Sequence, residues 1–331
     1  MEKLFDLLSV KQNIIITTHV NPDGDAIGSS LALYNFLSKY NHEVSVILPN
    51  EYPDFLAWMK GKDNMIIYSK SKKRANSLIK KSSVIFCLDF NNLSRINGLG
   101  ETINNSKSFK VLIDHHLDPV SFYDFAIHND KACATAELVY DFIENMNIEF
   151  LDKDISECLY AGILTDTGSF KFSSTSSKVH RIVANLIEKG ANVSKVNELI
   201  YDTNSLDRLR LIGYSLSKKL KLTGNKKAAY IVLKRDDLLN FNFKKGDTEG
   251  LVNYALSIKG VNMATLIIET KERVKFSFRS VGNFSVNELA RENFNGGGHK
   301  NAAGGSLEDK LSVALKKFLN VVSKNEKLLN Y

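Results

Sequence analysis

Short apolar runs alternate with amphipathic stretches through the first half of the chain. Residues 13–18, 43–48, 83–88 and 110–113 are brief and rich in β-branched side chains, the pattern of buried strands. Between them, residues 26–40 place Ile27, Leu31, Leu33, Tyr34 and Leu37 at helical spacing, and 71–80 also reads as a helix. Residues 135–146, with Leu138, Val139, Phe142 and Ile143 on one side, 155–164 and 179–189 continue a helical layer, the last stopped by Gly190. Such alternation is that of βαβ units and predicts an α/β domain, a parallel sheet with helices on both faces.

The pattern changes in the second half. Residues 192–221 are polar and helical with little strand character. From Ala228 the run Ala-Ala-Tyr-Ile-Val-Leu predicts a strand, 263–270 and 274–279 predict an antiparallel pair turning at Lys271-Glu272, and 286–291 predicts a helix. A last helix over 309–324 is expected to bury Leu311, Ala314, Leu315, Phe318, Leu319 and Val322. With 331 residues, more than one core usually supports, the division expected is a catalytic domain over 1–191, a helical linker over 192–221 and a smaller α+β substrate-binding domain over 222–331, with the active-site cleft between the two domains.

Composition narrows the class. No apolar stretch approaches the roughly 20 residues that span a bilayer. Met1 to Lys11 carries Glu2 and Asp6, unlike a signal peptide, so the expectation is a cytoplasmic protein without a membrane partner. Cys87, Cys133 and Cys158 are too separated for a disulfide framework and read as packing residues. The net charge of +7 draws on Lys70, Lys72, Lys73, Arg74, Lys80 and Lys81, and on Lys316, Lys317, Lys324 and Lys327. It suits a polyanionic substrate, but solvated helix faces explain it equally.

Four clusters of metal-ligand side chains sit at chain reversals: His19 with Asp23 and Asp25, Asp89 after the run 84–88, Asp114-His115-His116 after 111–113, and Asp166 in L-T-D-T-G-S-F. Parallel strands end on one edge of their sheet, so ligands after different strands can converge there. Carboxylate and imidazole without thiolate suit manganese, iron, zinc or magnesium rather than a structural zinc. Each cluster also has a plainer explanation. Asp25 can be the N-cap of the following helix, Asp89 can open a turn with Asn91 and Asn92, His115 or His116 can be a bonded core residue, and Asp166 can satisfy a backbone donor. Their joint occurrence favours a metal site. Among other motifs, Gly296-Gly297-Gly298-His299 is a flexible turn or a loop whose amides converge on an anion. Ser173-Ser174-Thr175 can bind phosphate, or Ser174 or Thr175 can cap the next helix. His42, His128 and His180 lack a supporting cluster and read as structural or surface residues.

The segments H-V-N-P-D-G-D-A-I-G-S at 19–29, C-L-D at 87–89, I-D-H-H at 113–116, G-I-L-T-D-T-G-S-F at 162–170 and F-N-G-G-G-H-K-N-A-A-G-G at 294–305 resemble the DHH phosphoesterases with a DHH-associated C-terminal domain. They run in family order across most of the chain. D-T-E-G-L-V-N-Y-A-L-S-I-K-G-V and F-S-F-R-S look most like the nano-RNase and pAp phosphatase group, which trims very short oligoribonucleotides and dephosphorylates 3'-phosphoadenosine 5'-phosphate.

The resemblance implies two divalent ions, usually Mn2+, bridged by Asp89. One would take His19 and Asp23, the other Asp25, His115 and Asp166. His116 resembles the histidine that faces substrate, and a proton or hydrogen bond from it near the leaving group is expected. Asp114 is expected to orient a histidine. Two ions about 3.5–4 Å apart can hold a hydroxide for in-line attack, so no protein nucleophile is needed. The glycine run with His299 resembles the substrate-gripping loop, and Arg279 looks like a partner for a second phosphate. The expected substrates are pAp and short RNA such as pApA. A cyclic di-AMP or linear-dinucleotide phosphodiesterase is the alternative, and a pyrophosphatase or a non-catalytic nucleotide sensor is further off. A homodimer is compatible with the resemblance.

Overall fold

The computed structural model describes residues 1–325 and Leu329; Lys327 and the end of the 222–331 segment lie outside the described residues. The chain forms two compact units, Met1–Thr203 and Asn204–Tyr331.

In the first unit, α1 (Glu2–Leu8) precedes β1 (Asn13–Thr18), α2 (Gly24–Ser38), β2 (Glu43–Leu48), β3 (Met65–Ile67), α3 (Tyr68–Lys81), β4 (Val84–Leu88), α4 (Gly98–Asn104), β5 (Phe109–Asp114) and β6 (Phe125–His128). Four helices follow: α5 (Thr135–Asn147), α6 (Lys153–Asp166), α7 (Ser177–Glu188) and α8 (Val193–Tyr201). All six strands are parallel, in the order β3-β2-β1-β4-β5-β6. Burial on both faces explains the continuous apolar runs. Ile14, Ile16, Phe86 and Ile113 pack under α2, α5 and α6, while the alternate residues Ile15, Ile85, Cys87 and Leu112 pack under α3 and α4. The strand order reverses between β1 and β4, the place where open α/β sheets bind ligands beyond their carboxyl ends.

The sequence pattern did not predict β3 or β6, three and four residues long. α3 is kinked at Ser71, where its regular part begins. Cys87, Cys133 and Cys158 are buried free thiols.

The second unit opens with α9 (Leu206–Tyr214) and a π-helical turn, followed by β7 (Leu220–Leu222), β8 (Ala228–Leu233), α10 (Arg235–Asn240), α11 (Leu251–Leu256), β9 (Met263–Glu269), β10 (Val274–Ser280), α12 (Val286–Asn293), β11 (Gly297–His299), β12 (Ala302–Leu307) and α13 (Leu311–Lys324). Its mixed sheet has the order β11-β12-β10-β9-β8-β7. The β9–β10 pair is antiparallel, with Thr270 and Arg273 bonded across the turn, whereas β8 and β9 are parallel. On α13 Ala314, Phe318 and Val322 are buried, while Leu311, Leu315 and Leu319 are only partly covered because they flank the contact stripe. Among the described residues no helix is long and apolar enough to cross a membrane.

Candidate active site

Three strands of the first sheet end in ligand-type side chains at its carboxyl edge: His19 just past β1, Asp89 just past β4, and Asp114 at the end of β5 followed by His115 and His116. Asp89 adopts a left-handed backbone (φ 64°), uncommon for a residue with a side chain, and its N–H donates to the Ile113 carbonyl at 3.0 Å. This kink ends the strand and turns the carboxylate into the edge of the sheet.

The two oxygens of Asp89 face different neighbours. Oδ2 lies 3.3 Å from His19 Nε2, which is also 3.9 Å from Asp23 Oδ2. Oδ1 lies 3.5 Å from His115 Nε2, and that nitrogen is 3.8 Å from Asp25 Oδ2 and 3.4 Å from Asp166 Oδ2. His19, Asp23 and Asp89 each bring a ligand atom within 4.8 Å of the others, and so do Asp25, Asp89 and His115.

Both histidines are fixed through Nδ1, which donates to Val20 O at 3.0 Å in His19 and to Ala132 O at 3.1 Å in His115. With that proton committed, each Nε2 is left facing carboxyl oxygens. Either a second proton or a cation must occupy the space, and backbone-anchored imidazoles facing carboxylates fit a divalent metal. Burial alone would lower both imidazole pKa values, but the Asp89 hydrogen bond and the surrounding carboxylates hold His19 above, and His115 well above, the usual range. For Asp89, burial is outweighed by hydrogen bonds from His115 and His19, which hold it well below the usual range. Asp25 is pushed well up by burial and by the Asp89 and Asp166 charges.

Helix packing supplies the remaining carboxylates. Asp23, not Asp25, is the N-cap of α2, its Oδ1 accepting from the amides of Asp25 and Ala26 at 3.1 Å each. Asp25 points away from its own helix and accepts from Thr135 N at 2.6 Å and Ala136 N at 2.9 Å, at the start of α5. Asp166 is the last residue of α6, which packs antiparallel on α2 through glycines. A Cβ on Gly28 would lie 2.5 Å from the Cys158 carbonyl, and one on Gly162 would lie 2.9 Å from Asp25 Oδ1. Only that close approach sets Asp25 beside Asp166.

His116 Nδ1 is 2.7 Å from Asp114 Oδ1, and His128 Nε2 donates to the His116 carbonyl at 2.7 Å. Burial and the Arg95 charge lower the His116 pKa against the pull of Asp114. Arg95, six residues beyond Asp89, opposes protonation of both His19 and His116, so its charge bears on the site. Neither Arg95 nor Thr135 is a ligand-type residue; the signals for them in the sequence are that Arg95 is the first opposite charge after Asp89 and that Thr135 stands at a helix start.

In the second unit Arg279 on β10 and His299 on β11 are both paired with Ala302 of β12. Directly paired residues share a face, so the two side chains stand on one side of the sheet, on either side of a methyl group. In the glycine run, Gly297 and Gly298 lie in a strand, and the amides of Gly296 and Gly298 are bonded within the protein. Gly296 N–H donates to Ala290 O at 3.2 Å and Gly298 N–H to Asn287 Oδ1 at 2.9 Å. Two glycines of the run serve close packing: a Cβ on Gly296 would fall 2.0 Å from the Gly304 carbonyl oxygen, and one on Gly298 2.5 Å from that of Ala302. Neither Ser174 nor Thr175 caps α7; Ser176 does, through Val179 N at 3.3 Å. Asp89 opens no turn with its asparagines, since Asn92 caps a separate 3-10 turn through Ser94 N. Tyr254 is exposed on α11.

Comparison with known proteins identifies the family. The DHH family, N-terminal domain, matches residues 13–163, and the DHHA1 domain matches residues 225–325. The bifunctional oligoribonuclease and PAP phosphatase of Thermus thermophilus is 29% identical over 91% of this chain and 86% of its own. The Bacillus subtilis protein of the same name is 28% identical over 92% of both chains. The crystal structure of an exopolyphosphatase-related protein from Bacteroides fragilis superposes with a TM-score of 0.94 at 40% identity, covering 99% of this chain and 97% of that one. With a DHH domain carrying ligand-type residues at its strand ends and a DHHA1 domain following, the chain belongs to the DHH family of phosphoesterases and is a hydrolase.

Proposed function

We propose that this hydrolase cleaves short oligoribonucleotides such as pApA and removes the 3'-phosphate of pAp, using two divalent cations that share Asp89. The observation that carries the reading is the division of Asp89, whose Oδ2 faces His19 and whose Oδ1 faces His115. His19 and Asp23 would complete one site; Asp25, His115 and Asp166 would complete the other. The all-nitrogen-and-oxygen donor set suits Mn2+. When bound, such ions supply positive charge against phosphoryl oxygens and acidify water for attack on phosphorus.

The remaining residues orient and transfer. Asp114 fixes the His116 ring through Nδ1, and burial with Arg95 keeps His116 from holding a proton tightly, so a proton it carries passes readily to a leaving oxygen. Arg95 adds a fixed positive charge on the side of His19 and His116, suited to a phosphate oxygen. On the second unit's sheet, Arg279 and His299 form a two-pronged phosphate grip across Ala302. The oligoribonuclease and PAP phosphatase names of the Thermus and Bacillus relatives favour nucleotides over pyrophosphate.

A kinetic panel with Mn2+ tests the assignment by comparing pAp, pApA, longer RNA, single-stranded DNA, cyclic di-AMP and pyrophosphate. The expected order of kcat/KM places pAp and pApA first. Highest efficiency on cyclic di-AMP or pyrophosphate would replace this reading.

A further inference from the structure

We propose that Thr135, the first residue of α5, is a positioning residue that sets the carboxylates of both cation sites at once; the inference rests on the metal reading above. The first amides of any helix lack intrahelical partners, and the N-cap here, Ala134, has no side chain to offer. Asp25, from a helix far away in sequence, takes that place: its two oxygens receive the amides of Thr135 and Ala136 at 2.6 and 2.9 Å. The positive end of the α5 dipole thereby holds the carboxylate in one orientation.

The hydroxyl of the same residue does a second job. Inside a helix a threonine Oγ1 bonds to the carbonyl of the turn before it. At the first helical position that turn does not exist, and Thr135 Oγ1 instead donates to Asp89 Oδ1 at 3.0 Å. Thr135 is fully buried, and branching at Cβ restricts its rotamers, so the backbone of α5 dictates the direction of that bond. The bond fixes the plane of the Asp89 carboxylate, leaving Oδ2 to His19 and Oδ1 to the His115 side. The helix start is itself pinned. Glu137 Oε2 accepts from Cys133 N at 2.8 Å, and Glu137 Oε1 is 3.1 Å from Lys178 Nζ of α7. One rigid element therefore registers Asp25 and Asp89 against each other.

The hydroxyl acts on Oδ1, so its loss should weaken the site of Asp25, His115 and Asp166 more than that of His19 and Asp23. Thr135→Val keeps the shape and the amide to Asp25 but removes the donor. Calorimetric Mn2+ titration of the full chain should find one of two ions bound about 10–100-fold more weakly, the other within about threefold of wild type, and kcat on pApA lowered about as much with little change in KM. Thr135→Ser should restore both to within about threefold, which a purely structural role for the methyl group would not produce. Thr135→Ala, a better helix former, should repeat the valine result and guards against a folding defect, read from thermal melts without metal. Two ions bound by Thr135→Val as tightly as by wild type, or no rescue by serine, would overturn the inference alone. A wild-type chain that takes up no Mn2+ would overturn it together with the metal reading.

Discussion

The two sheets present their candidate functional side chains in opposite ways. At the first sheet's carboxyl edge, charge is concentrated and buried: Asp25, Asp89, Asp114, His115 and His116 are all nearly inaccessible, and backbone or neighbouring groups hold each of them. In the second, Arg279 and His299 stand on strands whose neighbours are alanine and glycine, and the site is shaped by side chains that are missing. The first region sets buried carboxylates against buried imidazoles, an arrangement suited to holding a cation. A half-buried guanidinium with an imidazole on the same face, over small residues, is suited to gripping a phosphate that comes and goes.

Substitutions at Asp89 should expose the contrast most strongly. Asp89→Asn keeps the shape but removes the charge shared by both clusters, and hydrolysis of pApA should fall by more than about a thousandfold in a chain that still folds. Retained turnover in metal-free-purified material would break the shared-ligand assignment. Next is Gly162→Ala, whose methyl would sit 2.9 Å from Asp25 Oδ1 and 2.7 Å from Ala136 Cβ. Separating α2 from α6 should weaken Mn2+ by about 10–100-fold, measured by titration. His299→Ala should leave the Mn2+ titration unchanged and raise KM for pApA by about tenfold, the mark of lost substrate binding. An unchanged KM would remove His299 from the grip.

The smallest effect concerns pH. His19 and His115 have pKa values raised above 6.5, so in the metal-free protein their contribution to stability is complete below that value and is lost as pH rises through the folded-state values. Metal needs the neutral imidazoles, so its affinity should climb across the same window. The gain in melting temperature on adding Mn2+ should therefore grow as pH rises above 6.5. A gain independent of pH would contradict protonation competing at these nitrogens.

Much of the first region was legible in the sequence because its candidate ligands sit at the ends of strongly patterned elements, and the strands β1, β2 and β4 are predicted to within a residue. What escaped was contact between distant segments. Asp25 reads locally as a cap, yet the helix it caps begins 110 residues later. Thr135 is an ordinary helix residue until its hydroxyl is seen against Asp89. The second region was harder because glycine disfavours strands and β11 and β12 contain four glycines, so a glycine run read as a turn or loop. Its backbone is held by partners that periodicity cannot reveal, such as Asn287 on Gly298.

Counting bound Mn2+ per chain by equilibrium dialysis, with electron paramagnetic resonance on the same samples, tests the shared role of Asp89 most directly. Two ions per chain with spins coupled through a common ligand are predicted. A single ion, or two that behave as magnetically isolated centres, would contradict it.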